Sequence, residues 1–519
     1  MRGTISTGLS ITPGGVREDI NPPNIPEGWL LGSNNWLTLK GRGRARPGYV
    51  QIDAAVASGN TIIGIGQRGS DQLVDNIVIH TLTAAYHWNG SDQTVITGTW
   101  ATSTEDQPVR FTTFRSGTTI WLARINAANA IDKWDGSGSA FQNVSAAPAG
   151  RDVTSTQEHV IVARPSEMGV QWSDQNAIDT WPAANIAFLT DTPGDVVAVE
   201  SIGPLSFAVY KEDAVFLATR QAALTAYKFQ FIALTSGPVS AAAVVAFPWG
   251  HIWLGKDNVF YIFDGSRVRP MDGSRGLVAT LGTNLHVTNR GRTHAMRFRR
   301  TEDQAWFIYP DASTGDLTRM VSMVIKDPLS PQGTIALNPH TLPTAISASA
   351  AWQDRTDLTI DTLDGFSTTI DGLDNTWSTI NAMSNPGESV SLLGDTAGQF
   401  YQFGIAVTDD STAIAWEFIH PHRATAGEDK RFFSDGVSSY WPVTSQALTV
   451  TAGITFSDSL SDAETEATDT LATNTDSNHH ITFANKRAKW AKVRFAGAST
   501  LSDLEYRGAR FYAFPLPMV

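Results

Sequence analysis

Cysteine is absent from the 519 residues. That removes disulfides, thiolate nucleophiles and Cys-ligated zinc together, and it suits a protein that must keep its fold in reducing and oxidising surroundings alike. Charge is sparse, at 17% of residues. No window approaches 18 consecutive apolar residues, and the opening MRGTISTGLSITPGG lacks the apolar core of a secretory signal, so neither a membrane span nor an export leader is expected. Helical periodicity is equally scarce; only residues 212–230 offer a short helix, around Arg220–Tyr227. Catalytic phrases are missing too. There is no Gly-x-Ser-x-Gly elbow, no phosphate-cradling Walker loop and no helical His-Glu-x-x-His. GIGQRG (Gly64–Gly69) matches a dinucleotide fingerprint in letters alone: no helix pattern follows it, and it reads as a turn. The chain is expected not to be an enzyme, and to need no cofactor and no metal.

Brief runs rich in β-branched and aromatic residues fill the chain between turn residues. They include Thr61–Ile65, Asn76–Ile79, His159–Ala163, Leu205–Tyr210, Val259–Phe263 and Ala305–Tyr309. Such a series indicates an all-β fold. Three segments share an aromatic followed by Asn/Asp-Gly: Trp88-Asn89-Gly90, Trp134-Asp135-Gly136 and Phe263-Asp264-Gly265. Each reads as a strand ending in a tight turn, with the aromatic packed between sheets. Trp172, Phe216 and Phe307 fill the intervals, giving steps of 46, 38, 44, 47 and 44 residues, the length of a four-stranded propeller blade. The spacing predicts a β-propeller of six to eight four-stranded blades, six favoured, over residues 51–403. An extended segment, 1–50, precedes it, and a β-sandwich-like domain, 404–519, follows. Trp88, Trp134, Phe216 and Phe263 are expected in the core between blades. The polar stretch Ser457–His480 reads as a loop or long hairpin tip. Another large all-β architecture is the alternative.

The net charge of −13 is unevenly placed: residues 351–480 hold twenty Asp/Glu against four Lys/Arg, which outweighs the whole chain's excess. A solvated acidic face is one reading; repulsion of passing DNA is another. Inside this block a decapeptide recurs three times, as Thr359-Ile360-Asp361, Thr369-Ile370-Asp371 and Thr379-Ile380-Asn381. A repeated, non-catalytic phrase points to assembly, so Asp361 and Asp371 are candidates for a channel wall or subunit seam; calcium there is a weaker alternative, because the spacing of a calcium loop is lacking. Two basic stretches, KGRGRARPG (Lys40–Gly48) and RGRTHAMRFRR (Arg290–Arg300), lack the interleaved aromatics of a single-strand platform. Arg42, Arg44 and Arg46 are expected to make protein contacts, either to another subunit or to the chain's own acidic block. The pairs His420/His422 and His479/His480 read as surface histidines rather than metal ligands.

Several phrases together resemble the tail nozzle (phage stabilisation or tail tubular) proteins of short-tailed bacteriophages. They are GSNNWLTLKGRGRARPGY, RFTTFRSGTTIWLARINAANAIDKWDGSG, the Trp172-Ser173-Asp174 strand end followed by Trp181, the Ile-Asp repeat, and WAKVRFAGASTLSDLEYRGARFYAFP, scattered between about residues 30 and 515. The resemblance implies a structural virion protein of the tail, assembled in the host cytoplasm. It implies a homohexameric ring below the portal and an adaptor (head-tail connector) ring, closing the connector and conducting DNA during ejection. Tail fibres or a tail needle are further possible partners, contact with viral DNA is transient, and no membrane insertion is implied. It supplies no catalytic residues. The alternatives are a receptor-binding or fibre-docking propeller module and, less favoured, a polysaccharide depolymerase.

Overall fold

The computed structural model describes residues 5–9, 16, 25, 29–39, 42–56, 59–68, 76–89, 92–98, 100, 104–164, 168–221, 227–271, 278–299, 303–325, 335–353, 389–421, 432–440, 449–457, 467–472, 478–482, 487–488, 490–499, 506 and 508–515. The architecture is all-β. Six four-stranded antiparallel blades are each built from one contiguous run of chain, with inner strands Ile62–Arg68, Arg110–Ser116, Asp152–Ser155, Val196–Gly203, Val244–Phe247 and His294–Arg299. A seventh closes the ring from both ends of the chain. Its inner strand Ile346–Gln353 is followed by Ser389–Asp395 and Phe400–Ala406, and its outer strand is the N-terminal Gly48–Asp53. Each inner strand packs beside the next, and Ile346–Gln353 returns to Ile62–Arg68. The ring thus has one blade more than the six favoured from the spacing. The aromatic step cannot count a blade whose strands lie at opposite ends of the sequence.

The aromatic-turn phrases mark third-strand ends. Trp88 ends Ala85–Trp88 in blade 1, Trp134 ends Asn129–Trp134 in blade 2, Phe263 ends Phe260–Phe263 in blade 5, and Trp172 ends Gly169–Trp172 in blade 3. Gly136 and Gly265 follow two of them with φ of 86° and 87°, a region costly for other residues. Phe216 lies early in its third strand and Phe307 in a second strand, so the even stepping blurs there. In the stretch expected to hold a helix the described residues form two strands, Ala214–Arg220 and Tyr227–Leu234, paired from Arg220↔Tyr227 onward, while residues 222–226, inside the expected helix, lie outside the described residues. Both strands pack into clefts between blades, and that burial outweighs the helix propensity of their Ala and Leu residues. GIGQRG is likewise no turn. Gly64 and Gly66 lie within the innermost strand of blade 1, where a Cβ would meet the Val109 carbonyl at 2.6 Å and the Phe111 ring at 2.4 Å. Glycine lets the neighbouring inner strand approach.

The C-terminal unit is two antiparallel sheets, and both recruit N-terminal strands. Gly32–Asn34 pairs with Thr412–Ile419, which continues through Trp490–Ser499 and Thr449–Ser457 to Ala467–Ala472. Ile5–Leu9 pairs with Gly508–Pro515, then Phe432–Tyr440 and Asn478–Thr482. The described part of residues 1–50 is therefore paired strand rather than a plain extended arm. The polar stretch after Ser457 also carries two strands, Ala467–Ala472 and Asn478–Thr482, rather than one loop. Among the described residues no helix is long and apolar enough to cross a membrane.

Candidate functional site

The N-terminal phrase GSNNWLTLKGRGRARPGY folds into a clasp. The hairpin Trp36–Leu39/Arg42–Ala45 lies between blade 6 and the C-terminal sheet. Asn35 takes a left-handed conformation, φ 53°, which asparagine tolerates. Its Nδ2 donates to the Ala415 carbonyl at 2.8 Å, and its Oδ1 accepts from the Thr341 amide at 2.9 Å and from Arg46 Nε at 2.9 Å. Arg46 is 1% exposed. It donates in bidentate fashion to Asp409, with Nη1–Oδ1 at 2.8 Å, and also to the carbonyls of Pro47 and Thr341. Arg46 therefore meets the chain's own acidic block inside the fold and offers nothing to a second subunit; a fully buried guanidinium persists only with such partners. Arg44 is half-buried in the same hairpin, and the side chain of Arg42 lies outside the described residues. Trp36 stacks on Phe418 at 4.6 Å and packs against Trp416 at 4.7 Å.

Trp88, Trp134, Phe216 and Phe263 are all at most 5% exposed. Trp88 packs on Phe400 between blades 1 and 7, and Trp134 joins Val78, Ala85 and Ile96 between blades 1 and 2. Phe216 lies with Trp172 between blades 3 and 4, and Phe263 with Ala198 and Tyr210 between blades 4 and 5.

Asp361 and Asp371, with the whole repeat, lie outside the described residues. The flanks of that segment are described: Gln353 and Ser389 face each other in the ladder of blade 7, so the repeat is spliced into that blade's first hairpin. His420 is no surface residue; it is 2% exposed, 2.9 Å from the Tyr506 hydroxyl. His422 falls outside the described residues, and His479 and His480 occupy a strand. Among the described residues no cluster of three His, Asp or Glu is placed to hold a metal. Part of the second basic stretch is used internally. Arg292, in the connection from blade 5 to blade 6, pairs with Glu105 and with Asp106 (Nε–Oδ1 2.6 Å) in the connection from blade 1 to blade 2, and so reaches across one face of the ring.

The inner strands line the propeller channel, which holds a cavity of about 490 Å³. Arg110, Glu200, His294 and Arg297, from blades 2, 4 and 6, line it, and Asp152 of blade 3 is paired with Arg110. Arg110 Nε donates to Asp152 Oδ1 at 2.8 Å, and Asp152 Oδ2 accepts from the Val199 amide at 3.0 Å. Burial, reinforced by the Asp152 charge, pushes the Glu200 carboxyl up to about 7. Burial, then Arg110, pushes His294 down to about 4, leaving it neutral. Arg297 lines the same void, its guanidinium 5.3 Å from the Phe247 ring centre. No motif announces these residues. The one available signal is positional: Arg110, Asp152 and Glu200 stand about one blade apart, at equivalent inner strands.

No model of a known protein family matches the chain, and no curated protein matches it. Among solved structures, BBS1N in complex with ARL6DN is similar over 69% of this chain and 98% of that one, at 10% identity and a TM-score of 0.40. A chain of the mitotic checkpoint complex is similar over 68% of this chain and 96% of that one, at 11% identity and 0.37. Likenesses so distant carry no argument about function.

Proposed function

We propose that this chain is a structural tail protein of a short-tailed bacteriophage, a nozzle subunit that assembles as a ring and conducts DNA between subunits. The observation that carries the reading is where the resembling phrases fall. GSNNWLTLKGRGRARPGY supplies the clasp between propeller and C-terminal sheets, with Asn35 and Arg46 at its centre. Trp172-Ser173-Asp174 and Trp181 supply a blade end, where Ser173 Oγ accepts from the Val160 amide at 3.0 Å. A likeness that rests on joints of the fold speaks for shared architecture and shared mechanical duty, and it needs no catalytic group. The conduit in this reading is the axis of a ring of copies, not the interior of one propeller. The acidic residues of 351–480 then keep DNA from adhering wherever they face that axis, with a reach of about 8 Å at physiological salt.

A docking module is the second reading. It is favoured by the outer strand of blade 4, Tyr227–Leu234, which exposes Phe231 and Leu234 on an edge that no described strand covers. Native mass of the purified chain, alone and with an adaptor ring, separates the two. The nozzle reading expects a closed particle of about six 56.0 kDa chains, at least once the adaptor is present. A strict monomer under both conditions overturns it. A hydrolase activity that one Asp or Glu substitution abolishes would overturn both readings.

A further inference from the structure

Neighbouring inner strands run parallel and in step. The Val109 amide donates to the Ile63 carbonyl at 3.0 Å, and the Thr113 hydroxyl donates to the Gln67 carbonyl at 3.1 Å, so both contacts join blades 1 and 2 at the same offset. Blades 1 to 6 each begin with the inner strand, and the connections that lead into them therefore meet on one face of the ring. Arg292 stands two residues before His294, and Asp106 three before Val109; His294 and Val109 both line the channel cavity. Blades 2 and 6 lie three steps apart in a ring of seven, almost opposite each other. An ion bridge between their connections crosses the mouth of the cavity. On its inner side His294 is 6% exposed and Val109 4%.

We propose that this bridge is an ionic gate over the channel cavity. Arg292 Nε donates to Asp106 Oδ1 at 2.6 Å and Nη1 donates to Glu105, while Asp316 adds a third negative charge nearby. Glu105 also lies 3.5 Å from the hydroxyl of Thr61, at the entry to blade 1, and Thr61 donates to the Thr396 carbonyl beside blade 7 at 3.2 Å. The closure thus draws on blades 1, 2, 6 and 7. Its charges remain in contact with water: the side chains of Arg292, Glu105 and Asp106 are 22%, 33% and 63% exposed. Ion pairs so exposed hold weakly, and salt screens them. The buried Arg46–Asp409 pair is a permanent joint; this one opens by side-chain rotation, with no strand leaving its sheet. Small polar solutes then reach the Ser349 hydroxyl, which lines the cavity and has no hydrogen-bond partner among the described residues. The inference is independent of the nozzle reading, since it concerns the interior of one propeller.

The chain has no cysteine, so Ser349→Cys places a single thiol in the cavity. Its alkylation by iodoacetamide, a small neutral reagent, is followed by intact mass at low salt and at about 1 M salt, where charges are screened beyond about 3 Å. Salt should speed the labelling about fivefold, the factor that two surface ion pairs of ordinary strength supply. Adding Arg292→Gln should give the fast rate at low salt and abolish the salt response, whereas Arg292→Lys, which keeps the charge, should retain it. Thr113→Cys, lining the same cavity from blade 2, is the second reporter should Ser349→Cys fold poorly. Ala163→Cys, fully buried between blades 3 and 4 and outside the cavity, should stay unlabelled throughout. Cavity labelling that neither salt nor Arg292→Gln changes overturns the proposal. So does an equal acceleration in Ala163→Cys, because the whole ring is then loosening rather than one mouth opening.

Discussion

Truncating Trp134 to alanine empties the seam between blades 1 and 2. The ring is 1% exposed, and its Nε1 donates to the Gly138 carbonyl at 2.6 Å. A loss of about 3–5 kcal/mol is expected, visible as a melting temperature lower by on the order of 10 °C; an unmoved melt would remove Trp134 from the load between blades. Buried histidines set a second expectation. Burial lowers His80 to about 3 and, with His294, His251 to about 4. Their folded values lie below the unfolded one near 6.5, so the stability they permit is complete above 6.5 and is lost as pH falls toward 4. Glu200 has the opposite sign: its folded value near 7 exceeds the unfolded 4.5, so its contribution is present below 4.5 and is lost as pH rises through 7. Three groups outweigh one, and the urea midpoint should fall between pH 7 and pH 5. Glu200→Gln should steepen that fall; a flat profile would contradict the burial of the histidines. Trp134 was legible because an aromatic before Asp-Gly combines a packing signal with a turn signal. Arg110, Asp152 and Glu200 were not, because each is a single polar letter per blade and nothing local distinguishes it from a surface charge.

The clasp is the element on which the two halves depend. Asp409→Ala would leave Arg46 charged and buried without its carboxylate, at a cost of about 3–5 kcal/mol. Replacing both, Arg46→Met with Asp409→Leu, should recover most of it. Urea denaturation of the four proteins reads the coupling, and additive losses would mean that the pair does not act as a unit. Strands such as Asn76–Thr81 and Asp303–Tyr309 could be read from composition, since β-branched and aromatic runs between turns are local signals. The strands of the N-terminus could not be assigned partners that way. Asn35 finds Ala415 across 380 residues, and nothing in a window of ten letters encodes a partner so far off. Around the helix expected at 212–230 the described residues are strands for the related reason that burial between blades, not local propensity, decides them.

At the scale of the molecule, closure depends on a strand made early and a blade completed late. Gln51 and Gln399 meet across 348 residues, with Nε2–Oε1 at 2.5 Å. On a ribosome moving at roughly 5–20 residues per second, the outer strand of blade 7 waits about 17–70 s for its partner. Six blades can form in sequence during that interval, each from contiguous chain, while the gap stays open. Such non-local pairing is slow to form, and an unfilled sheet edge accepts any matching strand. Where nascent chains lie side by side, the Gly48–Asp53 strand of one copy can enter the gap of another. Crowded synthesis should therefore yield strand-exchanged pairs alongside correctly closed rings, in a proportion that rises with expression rate.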